Sequence, residues 1–368
     1  MPSALHILPF SLHNPYALSL TNPDSPFRTL IRLLTTRNIQ ISSIDLSLFT
    51  GKTILITGAT GGCGFECAKA LARVGCRLVL TARSKEKRDV LKREIESGEG
   101  VSKMTSVDVL VLDMGDYGSI RGFGEELKTG HGFFDAVVLN AGVYCAEFGR
   151  CSTGMEETTQ VNFLSTAALS LLLLPLLQNA PSNDNQPSRL LFISSEAHGW
   201  SNPQQANLTS LLDTLNDPSA YNPWMRYHIS KLLLVLWTKE LASQLDPKKI
   251  LVSSASSNFT RTGMFRGFSH KFGAGLIEKS VCRTAEQGAA QNLEALVQMG
   301  SKGGHGGFWS DGGFRRTTAA AKTSNAIGLR ESMWDGLMEV LPENITEHAK
   351  KESVQVTGSK AEDVGSLV

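Results

Sequence analysis

From Lys52 onward, short apolar runs alternate with longer stretches whose apolar residues recur at helical spacing. The runs 53–57, 77–82, 107–113, 135–140, 189–195 and 250–255 predict strands. The stretches 63–74, 84–97, 116–128, 155–178, 222–244 and 285–299 predict helices. Parallel strands need long crossovers, and the helical stretches supply them. The alternation therefore predicts an α/β fold, a doubly wound parallel sheet with helices on both faces, as a single domain.

The ends read differently. Residues 1–50 contain Pro2, Pro9, Pro15, Pro23 and Pro26 before an amphipathic stretch, Phe27–Leu34, and predict an irregular arm plus one helix packed on the core. Residues 51–345 form the predicted domain, and 346–368 a polar tail. Loops are expected at 180–188 and 201–223, where Pro, Asn and Ser cluster, and a glycine-rich stretch, Gly300–Gly313, interrupts the C-terminal region. The longest apolar run, Phe163–Leu177, has the length of a buried core helix and falls short of a bilayer span. No internal repeat is visible.

Composition narrows the function classes. With 41% hydrophobic and 19% charged residues, the 368-residue chain has the make-up of a soluble globular protein. A formal net charge of +1 without a dense basic block argues against nucleic acid as a partner. The six cysteines, at 63, 67, 76, 145, 151 and 282, form no CxxC pair and no metal spacing with histidine. They read as reduced thiols of a cytoplasmic enzyme, with no metal site expected. No Lys or Arg precedes Arg28, so the basic region of a secretory or mitochondrial leader is missing from this sequence.

The first candidate chemistry is the string Thr57-Gly-Ala-Thr-Gly-Gly-Cys-Gly64, between a predicted strand and a predicted helix. Bare backbone at Gly58, Gly62 and Gly64 lets a dinucleotide pyrophosphate approach, and the helix amides can hold it. The bland alternative is a tight turn with no ligand. At the end of the second strand, where an acid would bind the ribose of NAD, stand Ala82 and Arg83. The Arg83 guanidinium suits a 2′-phosphate, with Thr60 as a hydroxyl partner, and so favours NADP(H); otherwise Arg83 merely opens the next helix in solvent. Asp113 and Asn140-Ala141-Gly142 also lie at C-terminal strand ends, where they can meet the adenosine or serve as turn and cap residues.

Proton chemistry is offered by Tyr227 and Lys231, four apart on one predicted helix face. An ammonium beside a phenol favours the phenolate and draws its pKa down from about 10. Ser194-Ser195 closes a predicted strand, and Ser195 is the preferred hydroxyl for a substrate oxygen on which charge grows. Asn162, at the start of an apolar helix, is a buried amide that needs partners and can hold a water. His198, His228, Cys145 and Cys151 have no ligand or nucleophile spacing and read as loop or pocket-lining residues.

In this chain order, the glycine motif at Thr57–Gly64, the Asn-Ala-Gly at 140, the lone Asn162, Ser195 and Tyr227-His-Ile-Ser-Lys231 resemble the short-chain dehydrogenase/reductase family. The resemblance covers about residues 50–340. The strings Phe49–Gly58, Leu171–Leu177, Ser194–His198 and Tyr227–Leu233 are most similar to its retinol-dehydrogenase-like branch, especially fungal members of secondary-metabolite pathways. The resemblance implies a Rossmann-type fold and an NADP(H)-dependent oxidoreductase that interconverts a small-molecule ketone or aldehyde and an alcohol. Its alternatives are an NADP-binding regulatory or scaffold protein without turnover and a double-bond reductase on the same fold.

Carried onto matching positions, the resemblance makes Tyr227 the proton donor and acceptor, with Lys231 lowering its pKa and binding the nicotinamide ribose. Ser195 would orient the carbonyl and Asn162 position a relay water. The cofactor would meet Gly58, Thr60, Gly62, Cys63, Gly64, Arg83, Asp113, Asn140, Ala141, Gly142 and, at its carboxamide, Thr262. One departure stands out: the family's Pro-Gly after the sixth strand is here Ser257-Asn258, although Asn tolerates the backbone angles that such a turn requires. Substrate would be met by segments 144–153, 198–224 and 263–280, and a homodimer would pair through the helices at 155–178 and 222–244.

Overall fold

The computed structural model describes residues 39–181, 186–258, 260, 283–315, 318 and 320–347. The expected helix Phe27–Leu34, Thr262, the segment 263–280 and the tail beyond 347 lie outside the described residues. Among the described residues, eight strands form one sheet: β1 Thr53–Ile56, β2 Arg77–Ala82, β3 Ser106–Val111, β4 Ala136–Leu139, β5 Ser188–Ser194, β6 Ile250–Ser256, β7 Phe308–Ser310 and β8 Gly313–Arg315. Their order is β3-β2-β1-β4-β5-β6-β7-β8. β1 to β7 run parallel, and β8 pairs antiparallel with β7.

Helices cross between the strands: α1 Gly62–Arg73, α2 Lys85–Glu96, α3 Tyr117–Gly130, α4 Glu157–Gln178, α5 Leu208–Leu215, α6 Pro223–Ser243, α7 Ala285–Gln298, α8 Ser324–Glu331 and α9 Met333–Val340. One core layer packs α3, α4, α5, α6, α8 and α9 on one face of the sheet. The other packs α1, α2 and α7 on the opposite face, together with Leu46 and Phe49 from the entering chain. Side chains close several helix starts: Ser84 accepts from Lys87 N–H, Asp116 from Gly118 and Ser119, and Asn222 from Met225. Each such cap is worth about 1 kcal/mol.

Three expectations need correction. The Gly300–Gly313 stretch is not simply an interruption, because it contains β7 and the turn into β8, so the sheet ends on an antiparallel hairpin. Three-residue strands are too short to show a period, but their two-residue Asp311-Gly312 connection has the left-handed φ values, 49° and 81°, of a tight hairpin turn. The 201–223 loop holds α5, whose Leu208, Leu211, Leu212 and Leu215 are all buried at helical spacing. Finally, the apolar run at 163–177 belongs to a longer helix, Glu157–Gln178, whose 22 residues are long and apolar enough to cross a membrane. Yet 94% of its apolar window is buried inside the protein, so here it is a core helix.

α4 and α6 are the expected pairing faces of a dimer. In this chain every residue of α6 from Arg226 to Thr238 is buried. α8 and α9 pack against α6, and Trp237 stacks on Trp334 at 5.8 Å. A helix buried on every side along this stretch is an interior helix, and this one fixes the side chains at its start.

Candidate active site

A cleft of about 850 Å³ opens beyond the C-terminal ends of β1, β2, β4, β5 and β6. Its centre lies where the strand order reverses between β1 and β4, the place where open α/β sheets bind ligands. Gly58, Thr60, Gly62, Cys63, Arg83, Asn140, Ala141, Gly142, Ser195, Tyr227 and Lys231 all line it, so the structure brings most of the sequence-predicted residues to one place.

The glycine turn is built by close backbone approach. Gly58 and Gly62 have φ values of 66° and 59°. A Cβ on Gly58 would stand 2.8 Å from Ala141 Cα, and one on Gly64 would stand 2.5 Å from Asn140 Nδ2 and 2.6 Å from Gly58 O. Gly64 does not face the cleft; its missing side chain lets α1 pack on the strand ends. Asn140 fastens the turn by donating from Nδ2 to Thr57 O at 2.9 Å and Gly58 O at 3.2 Å. Thr57 Oγ1 accepts in return from the Asn140 and Ala141 amides. The α1 N-terminus has no side-chain cap, so its first amides are left as donors at the glycine-lined end of the cleft.

Arg83 lies exposed at the end of β2 on the cleft rim. Lys87, whose only mark in the sequence is its place in a short basic stretch, joins it one turn along, and Glu86 and Glu94 share that rim. Asp113 does not line the cleft; its neighbours Leu112 and Met114 do. Its Oδ1 accepts from the Gly115 amide at 2.9 Å, which is turn duty.

The other half of the cleft is made of buried side chains. Tyr227 and Lys231, 8% and 3% exposed, project from the first turns of α6. Lys231 Nζ donates to Ile193 O at 2.9 Å and lies 5.7 Å from the centre of the Tyr227 ring. Ser194 Oγ donates to Lys231 O at 2.8 Å, so the end of β5 grips α6 from both sides. Ser195, half-buried, accepts from the Ala197 amide and hydrogen bonds to Tyr227. Burial pushes the Tyr227 phenol up to about 12, with Ser195 pulling the other way, and pushes Lys231 down to about 8. The phenol is therefore not lowered as expected from Lys231: loss of solvent around it sets the direction, and the opposing pull comes from Ser195.

Asn162 lies behind Gly142 rather than in the cleft, in a π-turn at Gln160–Leu164 near the start of α4. It is fully buried: Oδ1 accepts from Val143 N–H at 2.8 Å, and Nδ2 donates to Val143 O and Ser230 Oγ, both at 3.0 Å. Ser230 Oγ in turn donates to Tyr227 O. Both amide protons are thus spent on the protein, which leaves only acceptor capacity for a water. Ser230, a residue without a sequence signal, links Asn162 to the backbone of Tyr227.

Aromatic rings close the same end. Tyr144 stands 5.1 Å from Trp224 and 5.9 Å from Tyr227, and Trp200 meets His228 edge-on at 5.3 Å. Burial lowers His228 to about 4, so it is neutral here. Cys145 lines the cleft, its thiol pushed up to about 12 by burial. His198 is fully buried, with Nδ1 2.6 Å from Ser195 O, and meets Phe308 edge-on. Beyond β6, Ser257, Asn258 and Thr260 complete the wall, and Asn258 takes a left-handed φ of 59°. The asparagine thus adopts a conformation ordinarily left to glycine.

The family model described as short chain dehydrogenase matches residues 52–210. The chain is 31% identical over 296 residues to the short-chain dehydrogenase/reductase phmF of Phaeosphaeria nodorum, covering 80% of this chain and 87% of that one. It is 32% identical over 297 residues to the short-chain dehydrogenase/reductase ffsI of Aspergillus flavipes, covering 80% and 86%. Among solved structures, an uncharacterized protein from Mycobacterium paratuberculosis superposes with a TM-score of 0.59 at 25% identity, covering 83% of this chain and 97% of its own. Sequence likeness across four fifths of the chain, on a sheet of this order and with this glycine turn, means that the protein belongs to the short-chain dehydrogenase/reductase family, oxidoreductases that use a nicotinamide dinucleotide.

Proposed function

We propose that the protein is a cytosolic NADP(H)-dependent reductase of a small-molecule ketone or aldehyde, with Tyr227 as proton donor. The observation that carries this reading is the convergence of Ser195, Tyr227 and Lys231 beside the glycine turn. The residues fit a dinucleotide, since the bare backbone of Gly58, Gly61 and Gly62 lines the cleft beside the uncapped α1 amides. Gly62, Thr60 and the α1 amides would hold the pyrophosphate, and Arg83 with Lys87 the 2′-phosphate. When bound, the reduced cofactor supplies a hydride.

The remaining work falls to the chain's own groups. Ser195 Oγ and the Tyr227 hydroxyl bind the carbonyl oxygen and stabilise the negative charge that grows on it. Tyr227 then gives up its proton, and the buried Lys231 ammonium stabilises the phenolate left behind. Because burial keeps the phenol protonated up to about 12, the resting protein holds the donor form that reduction requires. Asn162 acts through Ser230 and Val143, keeping the start of α6 and the Gly142 loop in register. The wall of Tyr144, Trp200 and Trp224 presents tilted aromatic rings to the substrate body. The likeness to fungal relatives supports a place in secondary metabolism and is compatible with the retinol-dehydrogenase-like branch.

The test pairs fluorescence titration of NADPH and NADH with turnover of a panel of carbonyl compounds. NADPH is expected to bind at least about tenfold more tightly, the scale of charged hydrogen bonds to the extra phosphate. In Arg83→Ala that preference should fall while NADH affinity stays unchanged. Equal binding of the two dinucleotides, or an Arg83→Ala protein with its preference intact, contradicts the cofactor reading.

A further inference from the structure

Among the described residues, only two that are not glycine adopt a left-handed φ: Asn258 at 59° and Asp311 at 49°. They lie far apart in the chain, and they are bonded to each other, with Asn258 Nδ2 donating to Asp311 Oδ1 at 2.9 Å. Such conformations persist in side-chain-bearing residues when the surroundings over-determine them, and they gather where position matters.

The surroundings here are specific. Asp311 opens the β7–β8 hairpin turn, and its side chain is fully buried. Arg283 Nη2 lies 3.3 Å from its Oδ1, with the Arg283 side chain only 4% exposed, and Arg315 Nη2 lies 3.6 Å from its Oδ2. Arg283 also makes an isolated bridge with Thr260, a residue of the cleft wall. Asn258 has a second anchor, because its amide donates to Ser256 Oγ at 3.0 Å. That same oxygen accepts from the Glu196 amide at 3.2 Å, directly after Ser195. A continuous set of bonds therefore runs from the hairpin carboxylate through Asn258 and Ser256 to the segment that carries Ser195.

We propose that Asp311 is a positioning residue of the active site: it holds Asn258 in the left-handed conformation and so fixes the Ser257–Thr260 wall and, through Ser256, the Ser195 segment. It touches no reacting atom. A glycine at 258 would reach the conformation unaided; an asparagine here is clamped from the sheet edge. The wall so fixed is one side of the cofactor cleft, and the inference rests on the dinucleotide reading given above.

A double-mutant cycle on Asp311→Gly and Asn258→Gly tests it, with NADPH affinity, KM and kcat as readouts and thermal melts alongside. Glycine at 311 keeps the hairpin turn and removes the clamp. Asp311→Gly is expected to raise the KM and Kd for NADPH about tenfold while kcat falls less. With Asn258→Gly already in place, adding Asp311→Gly should change them by less than about threefold. A lower melting temperature with unchanged KM and Kd overturns the positioning role, as does an equal effect of Asp311→Gly in both backgrounds. If Asp311→Gly does not fold, Asn258→Ala, which loses the bond to Asp311 and leaves the Asp311 ion pairs in place, takes its position, and unchanged KM and Kd for NADPH in it overturn the positioning role. Wild-type protein that binds neither NADPH nor NADH overturns the dinucleotide reading as well, whereas wild-type binding with an inert Asp311 overturns this inference alone.

Discussion

The turn after β1 and the turn after β6 leave the same edge of the sheet with nearly the same left-handed φ, 66° at Gly58 and 59° at Asn258, yet they reach it by opposite means. At Gly58 there is no room for a side chain, with Ala141 Cα only 2.8 Å from where a Cβ would stand. At Asn258 the side chain is part of the turn itself, bonded to a carboxylate on the β7–β8 hairpin. The difference extends to the two halves of the cleft. The dinucleotide cradle is made by leaving side chains out, so that backbone amides face a ligand. The half proposed to transfer the proton is made of side chains, most of them buried and held by bonds to other elements. The first half is sensitive to added atoms; the second is sensitive to lost partners and to charge.

Gly64→Ala strikes the cradle hardest. Its Cβ would lie 2.5 Å from Asn140 Nδ2 and 2.6 Å from a carbonyl oxygen of the same turn, and backbone cannot step aside. A stability loss of about 1–3 kcal/mol is expected in denaturant titrations. Dinucleotide affinity should fall by about a hundredfold or more in fluorescence titrations, because the displaced turn no longer offers its amides. An intermediate effect is expected in the other half from pH alone. Lys231 is charged below its pKa of about 8 and neutral above it, whereas Tyr227 keeps its proton up to about 12. The kcat/KM for carbonyl reduction should therefore be level near neutrality and decline above about pH 8 as Lys231 loses its charge, with no break from Tyr227 until far higher. A profile that stays flat to the Tyr227 range contradicts a role for the ammonium. The smallest effect sharpens the contrast within the cradle itself. Gly61 has an extended φ of 173° and no atom within 4 Å of where a Cβ would stand, so Gly61→Ala should change stability by no more than about 0.5 kcal/mol.

The two halves are unequally legible in the sequence. The cradle is local: Thr57–Gly64 follows one strand and opens one helix, and Arg83 closes the next strand, so spacing alone exposes them. Tyr227 and Lys231 share a helix face at a fixed interval and are likewise readable. The first six strands announce themselves through apolar runs with helical stretches between. What holds the second half together is not readable, because its partners are distant in sequence. Asn258 and Asp311 are 53 residues apart, Asn162 and Ser230 are 68 apart, and neither pair leaves a periodic trace. The aromatic wall draws on separate loops and a helix start. The antiparallel hairpin is hidden because three-residue strands have no period, although Asp311-Gly312 is a turn signal. α5 is masked despite four leucines at helical spacing, since the Pro and Asn residues around it suggest a plain loop. The downward shift expected for the Tyr227 phenol fails for a related reason: a neighbouring charge is visible in sequence, but burial is not.

The central claim is that Tyr227 donates the proton in a reaction whose cofactor is held elsewhere in the cleft, and Tyr227→Phe tests it directly. The substitution removes one hydroxyl from a buried ring and leaves the glycine turn, Arg83 and Lys231 in place. NADPH titration together with single-turnover reduction of whichever carbonyl compound the wild type accepts is the decisive pair of readings. The account predicts wild-type dinucleotide affinity with reduction slowed by at least about a hundredfold, the lower range for loss of a general acid. Reduction at the wild-type rate in a Tyr227→Phe protein that still binds NADPH contradicts it.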